Sequence, residues 1–507
     1  MGLNKRNNGI LLHITSLPSK YGIGDFGVES YKFIDFLKKS KVGFWQILPL
    51  GPTGYGNSPY ASRSTFAGNE YLLSLDSIIK DGYLNTEDTF NFPECKAGYV
   101  DFNIVETYKK PLLFKAADNF LKQGKEKKQY ELFLDENAFY IEDYAIFMAL
   151  VDFYYDARWY SVWNKKIAKR DKNALEKVRK DLHKEIKRYK VLQYLFFKQW
   201  FNLKQYANEN GIKIIGDLPI FVAGDSVDAW ANIELLKTDS KTQYSKVSGC
   251  PPDGFTADGQ LWGNPVYNWQ IHKKTNYKWW ILRIKQQLKL FDIVRIDHFR
   301  GFESYWEISI DQTTARNGKW VKGPGQDFFD VIKKEISPLP IIAEDLGYMT
   351  KEVEKLRDDN NFPGMKIGIF GYNWDENEEF DYSNTDLPDN YGENFIAYPG
   401  THDNQTVLGW FKSLSKEKQI FIKQKLDIKD DSIVWPFIKD ILQSKAKVVI
   451  VQMQDLLEMD DTYRMNIPST CGPFNWSWQL KPDADLNKLE AILKSLNTKY
   501  NRCNLYL

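Results

Sequence analysis

Eight short apolar runs, each closing on polar or charged residues, recur along the 507-residue chain. In order they are residues 9–16 (GILLHITS), 43–50 (GFWQILPL), 213–220 (KIIGDLPI), 291–299 (FDIVRIDHF), 340–347 (PIIAEDLG), 363–370 (PGMKIGIF), 395–403 (FIAYPGTHD) and 446–455 (AKVVIVQMQD). Most are near-continuous and β-branched rather than alternating, the pattern of parallel strands covered on both faces. Amphipathic helical patterns lie between several of them, for example over 31–41 (YKFIDFLKKSK) and 351–358. Eight such strands with interposed helices predict an α/β fold, a (β/α)8 TIM barrel spanning residues 1–507 as one unit. Two gaps are too long for simple crossovers. Residues 51–212 are expected to form a mainly helical insertion subdomain after the second strand, and residues 221–290 a loop-rich insertion after the third, heavy in Trp, Gly and Pro. Long loops without regular structure are usually functional.

Composition narrows the class. A 43% hydrophobic fraction supports a large core and excludes global disorder. A net charge of +1 argues against a nucleic-acid binder. The basic stretch Lys165–Lys190 also holds Asp171, Glu176, Asp181 and Glu185, so it reads as a solvated helix face. Cys95, Cys250, Cys471 and Cys503 are scattered without C-x-x-C or zinc spacing, as in a reduced cytoplasmic protein. Arg6 stands where a myristoylation signal requires Ser or Thr, and the run Ile10–Ile14 is too short for a signal-peptide core. No stretch approaches the length of a membrane span. Aromatic residues make up 15% of the chain, and rings stack on the apolar faces of sugars as readily as they fill cores.

Gly22–Gly27 (GIGDFG) matches G-x-G-x-x-G, the fingerprint of a dinucleotide site. Two features oppose that reading. Leu17–Tyr21, with Pro18, separates the strand from the glycines, and the second strand ends in Leu48-Pro49-Leu50 with no acid to hold a ribose. The glycines are expected to shape a loop at the barrel mouth.

In a barrel of this kind chemistry sits at the C-terminal ends of the strands. There the runs carry Asp217, Asp297, Glu344-Asp345 and His402-Asp403, and two of the five histidines, His298 and His402, adjoin these acids. Arg295 and Asp297 are two apart on one strand and share a face. A guanidinium beside a carboxylate favours its charged form, which suits a nucleophile, and a second carboxyl in a less polar setting keeps its proton as general acid. Glu344 and Asp345 point opposite ways, so one of the two faces the mouth. One ionised and one protonated carboxyl make up the retaining glycosidase arrangement. A metal centre is the rival: His298, His402, Asp297 and Asp403 could join around an ion, but His13 stands alone on the first strand and the ligand set is thin. No metal is expected.

At these residues the chain resembles the 4-alpha-glucanotransferases (amylomaltase, or disproportionating enzyme) of glycoside hydrolase family 77. The resemblance runs through Gly9–Gly27, Gly51–Asn69, Gly216–Val222 (GDLPIFV), Gly259–Tyr267 (GQLWGNPVY), Val294–Glu307 (VRIDHFRGFESYWE), Trp320–Gly325, Ala343–Thr350 (AEDLGYMT), Gly400–Thr406 (GTHDNQT) and Arg464–Pro468 (RMNIP). It implies a barrel acting on maltooligosaccharides and other α-1,4-glucans, as donor and acceptor, with no cofactor. By motif, Asp297 is the implied nucleophile, Glu344 the general acid/base and Asp403 the acid that holds the distorted sugar. Arg295, His298 and His402 are implied to contact that sugar, Tyr60 and Asp217 to line the cleft, and Trp262 to cover the donor. Asn466 and Pro468 are implied to meet the acceptor side. Three positions depart from the family pattern: Gly254, Gln405 and Ser469, the last in place of a glycine. They leave the balance between transfer and hydrolysis open. A catalytically dead glucan-binding protein is the third alternative, opposed by the three intact acids.

Overall fold

The computed structural model describes residues 5–239, 243–252, 257–429 and 432–503, so Gly254 lies outside the described residues. Within them twelve strands form: β1 (Asn7–Leu11), β2 (Phe44–Gln46), β3 (Lys213–Pro219), β4 (Lys246–Cys250), β5 (Gln260–Pro265), β6 (Ile293–Asp297), β7 (Ser304–Ser309), β8 (Gly318–Lys322), β9 (Ile341–Ala343), β10 (Gly364–Ile367), β11 (Phe395–Tyr398) and β12 (Val448–Gln452). Eight of these lie in one sheet in the order β10-β11-β12-β1-β2-β3-β6-β9, with every pair parallel. The two ends of that order meet where the Ala343 N–H donates to the Pro363 carbonyl at 2.9 Å, which closes the sheet on itself as a (β/α)8 barrel.

Seven of the eight apolar runs contain a whole barrel strand, and β1 begins two residues before its run, at Asn7. The strands are shorter than the runs because the polar end of each run leaves the ladder and turns into the mouth. Their burial is that of a doubly covered sheet: all five residues of β1 and of β12 are buried. Helices Val28–Lys39, His183–Glu209, Lys278–Leu290, Gly325–Glu335 and Lys351–Asp359 return the chain between successive barrel strands as far as β10. Helices Val407–Ser413, Lys416–Lys425 and Val434–Gln443 connect β11 to β12.

Within 51–212 the helix Ile141–Tyr154 (IEDYAIFMALVDFY) is apolar around most of its circumference and packs on His183–Glu209. The charges of the neighbouring basic stretch pair between helices, as in Arg188–Asp118 and Arg170–Asp143, both at 2.7 Å. Residues 221–290 contain more order than the loop-rich pattern suggests. Helix Lys278–Leu290 is a barrel crossover, and β4 and β5 join β7 and β8 in a four-stranded antiparallel sheet, ordered β5-β4-β7-β8. The strand β5 (QLWGNP) alternates neither in polarity nor in burial, so it leaves no periodic signal.

The glycine motif opens no anion site. A Cβ on Gly24 would lie 1.9 Å from the Ile14 carbonyl, so that glycine is required by close packing against the chain leaving β1. At the start of the following helix the Gly27 N–H donates to the Asp25 carboxylate at 2.8 Å. A phosphate would have to displace that carboxylate.

At the opposite end of the barrel Arg502 is buried and donates to the carbonyls of Asn7, Leu442, Ser444, Ala446 and Lys447 at 2.8–3.2 Å. It ties the start of β1 to the turn before β12. Arg502→Met removes one donor from each of these carbonyls, leaving Arg6 on Leu442 and Ser444 and the Asn7 N–H on Lys447, and is expected to lower the unfolding free energy by about 3 kcal/mol. Urea titration should show the midpoint falling at unchanged slope.

Candidate active site

The barrel mouth opens into a cleft of about 2100 Å³, into which Tyr60, Trp262, Asp297, His298, Glu344, Asp403, Asn466 and Pro468 all project. The strand ends explain why these side chains converge. Asp297 is the last residue of the β6 ladder, opposite Pro219, and His298 after it adopts a left-handed backbone with φ of 53°. A non-glycine residue in that region is costly and is found where the surroundings fix it. The turn aims the His298 N–H at the Glu344 carboxylate, 2.6 Å away, and the Leu346 N–H donates to the other oxygen at 2.9 Å. Asp345 points elsewhere: it accepts from Arg357 at 2.5 Å and from the Met365 N–H at 2.7 Å. The acid at the mouth is therefore Glu344.

Arg295 lies beneath the cleft and serves two acids. Its guanidinium donates to both oxygens of Asp217 at 2.8 and 2.7 Å and to Asp297 at 3.0 Å. Asp217 does not line the open cleft as its motif implied; its side chain is 0% exposed and forms the layer below. From there it accepts from the Tyr60 hydroxyl at 2.7 Å. Tyr60 stacks on His402, with centroids 5.2 Å apart and planes at 11°, and His402 is likewise buried rather than cleft-lining. His402 Nε2 lies 3.2 Å from Asp403, whose other oxygen accepts from Asn466 Nδ2 at 2.7 Å.

The electrostatics separate three acids. Burial pushes Asp297 up to about 6, although 31% of its side chain meets the cleft. Arg295 does act in the expected direction, downward, but it is shared with Asp217, whose own charge raises Asp297, so the neighbouring guanidinium does not prevail. Burial pushes Glu344 higher, to about 7, with the Asp297 charge adding to it against Arg295 and the two backbone donors. Burial also acts upward on Asp403, but there His402, Asn466 and Arg295 overcome it and hold the carboxyl down to about 2. Burial acts downward on His402, and the Asp403 charge reverses this and raises it above the ordinary histidine value. Burial depresses His298 to about 3, so that imidazole is neutral.

Trp476 and Arg464 enter the site without having been singled out from the sequence. Trp476 packs on Tyr60 and His402 at 5.6 and 6.0 Å. Arg464, which opens the RMNIP segment, donates to the Asp403 carbonyl at 2.8 Å. Trp262 meets His298 edge-on at 4.7 Å. Of the departures, Gln405 bonds Asp461 at 2.6 Å, and Ser469 has a φ of 61°, the left-handed region that a glycine enters without cost. Among the described residues no three His, Cys, Asp or Glu side chains are grouped as metal ligands.

Residues 12–485 match the profile of glycoside hydrolase family 77, described as 4-alpha-glucanotransferase. A 4-alpha-glucanotransferase of Clostridium butyricum is 44% identical over 497 residues, covering 97% of this chain and 100% of that protein. One from Streptococcus pneumoniae is 43% identical over 505 residues, 99% and 98% of the two chains. The fold is similar to that of the amylomaltase from Streptococcus agalactiae in complex with acarbose, with a TM-score of 0.94, 42% identity and coverage of 99% and 100%. Sequence, fold and the convergence of acids at one barrel mouth agree: this chain belongs to the 4-alpha-glucanotransferases of glycoside hydrolase family 77.

Proposed function

We propose that this chain moves segments of α-1,4-glucans to the 4-hydroxyl of an acceptor glucan or glucose by a retaining double displacement. The observation that carries this reading is the convergence of Asp297, Glu344 and Asp403 at one mouth, with Asp297 held by Arg295 at 3.0 Å and Glu344 by two backbone N–H groups at 2.6 and 2.9 Å. Burial raises both members of the Asp297–Glu344 pair, so the pair retains a proton above the ordinary carboxylate range, and in this reading Glu344 carries it. Glu344 then donates that proton to the glycosidic oxygen while Asp297 attacks the anomeric carbon, and the C–O bond to the leaving chain breaks. Glu344, now ionised, takes the proton from the acceptor hydroxyl as it displaces Asp297.

Asp403, fully ionised between His402 and Asn466, holds the hydroxyls of the distorted sugar. Asp217 and His402 act from below, by fixing Arg295 and Tyr60. Transfer exceeds hydrolysis when the acceptor is held in place better than water, an advantage that positioning alone can make very large. Asn466 and Pro468 at the cleft wall are the surfaces for that task, with Trp262 covering the donor. The same cleft with water as acceptor gives the alternative hydrolase, and Gln405 and Ser469 are the two described positions where this chain departs from the family. The four cysteines are few and widely scattered along the chain, which supports work in a reducing cytoplasm. No helix among the described residues is long and apolar enough to cross a membrane.

Incubation with maltotriose should yield glucose together with chains longer than the substrate. Glucose and maltose alone, with reducing ends rising, would mean that water takes the intermediate. Asp297→Asn should lower turnover on the order of 10³-fold or more while glucan binding persists; retained turnover removes Asp297 from the nucleophile role. The pH profile of kcat/KM should be bell-shaped, with an acid limb near 6 where Asp297 must lose its proton and an alkaline limb near 7 where Glu344 must keep its own. A profile flat through this range would contradict the acid–base assignment.

A further inference from the structure

Both donors to the Glu344 carboxylate come from loops. The His298 N–H belongs to the left-handed turn after β6, and the Leu346 N–H to the segment after β9, where Gly347 has a φ of 81°. The Phe299 N–H donates to the Glu344 carbonyl at 3.1 Å, one tie between the two segments near the strand ends. Arg300 joins them. It sits in the 3-10 turn Phe299–Phe302, two residues beyond His298, and is 4% exposed. One arm of its guanidinium donates to the Tyr348 carbonyl, two residues beyond Leu346. The other arm donates to Ser304 Oγ at 3.0 Å, and Nε donates to the Ser304 carbonyl at 3.3 Å. The guanidinium lies over the Trp320 ring at 3.8 Å and within 5.6 Å of the Tyr348 ring. These two rings stack at 5.9 Å. Ser304 opens β7 and Trp320 lies in β8, so the antiparallel sheet backs the whole arrangement.

From these contacts we infer that Arg300 is a positioning residue for the general acid/base: it clamps the loop after β6 to the loop after β9 and so holds both backbone N–H donors on Glu344. The inference rests on the role given to Glu344 above. Arg300 does not line the cleft, and its action passes through the peptide groups of residues 298 and 346. Charged and titratable groups around the clamp are Glu303, which pairs with Lys322, together with His298, Cys250 and Tyr348. Those facing Glu344 are Arg295 and Asp297.

The sign of the effect follows from what the donors favour. An N–H aimed at a carboxylate stabilises its charged form and lowers its pKa. With Arg300 removed, the Leu346 donor drifts, burial and the Asp297 charge act with less opposition, and Glu344 holds its proton to higher pH. Arg300→Met should therefore move the alkaline limb of kcat/KM up by about one pH unit. It should also lower kcat on natural donors about tenfold or more, through misplacement of the acid, with KM nearly unchanged and the acid limb in place. Arg300→Lys should recover part of both losses. Ser304→Ala, a milder change that removes one acceptor of the guanidinium, should move the same limb in the same direction by less.

An α-maltosyl fluoride donor separates this role from a general loss of structure. Fluoride departs as an anion when Asp297 attacks the anomeric carbon, so the step needs no proton from Glu344. In a single turnover Arg300→Met should release fluoride nearly as fast as the parent enzyme; an equal loss of the single-turnover rate on fluoride and on maltotriose, or an unmoved alkaline limb in the folded variant, overturns the clamp. Glu344→Gln tests the underlying reading independently. A single-turnover burst of fluoride from that variant upholds Glu344 as acid/base whatever Arg300 does, and its absence removes both the assignment and the clamp.

Discussion

A single guanidinium governs the floor of the cleft. Arg295 is buried with two carboxylates on it, one from β3 and one from its own strand. A buried arginine of this kind is stable only while its partners remain charged and bonded to it. Through Asp217 the same charge fixes the Tyr60 hydroxyl; Tyr60 fixes the plane of His402, and His402 helps to hold Asp403 ionised. The three acids differ because burial prevails over Arg295 at Asp297 and Glu344, whereas at Asp403 His402 and Asn466 join Arg295 and outweigh it. Asp217 takes two hydrogen bonds from it and Asp297 one, which leaves Asp297 easier to protonate than an acid with a guanidinium of its own.

The eight barrel strands were legible because strands covered on both faces must be nearly continuous in apolar residues, and because polar residues at their ends serve no core. The sharing of Arg295 was not legible. Sequence places Asp297 two residues away and marks Asp217 as a strand-end acid, but does not show that Asp217, 78 residues distant, shares the guanidinium, so the net direction of the Asp297 shift is the reverse of that expected. Adjacent acids posed a related problem. Glu344 and Asp345 are equivalent on paper, and only the closed barrel shows Asp345 bonded to the Met365 N–H of β10 and to Arg357. That side chain reinforces the seam where β9 and β10 meet through one backbone bond between Ala343 and Pro363. A Cβ on Gly364 would fall 2.4 Å from its carboxylate, so the seam also fixes a glycine.

The antiparallel sheet escaped sequence reading for a different reason. Its strands are short, and the outer two, β5 and β8, are mostly exposed or half-buried, so they carry neither the continuous signature of a barrel strand nor the alternation of an amphipathic one. Yet it is placed where support is needed. It grows directly out of the turn after β6, the turn that carries Asp297 and His298, and braces from outside a segment with an unfavourable backbone conformation. Insertions of this kind let a barrel hold its mouth loops in one geometry without altering the strands beneath.

The cleft is wide and open, with rings such as Tyr55, Tyr155 and Phe370 exposed along its walls. A 4-alpha-glucanotransferase breaks one α-1,4 bond for each identical bond that it makes, so the exchange has almost no net enthalpy. A blind pocket would count residues from a chain end and impose a fixed product length. An open trough imposes no such ruler, and the direction of reaction is left to the entropy of mixing chains of different length. The population then relaxes toward a broad distribution rather than toward one product, and its composition is set by the average chain length supplied.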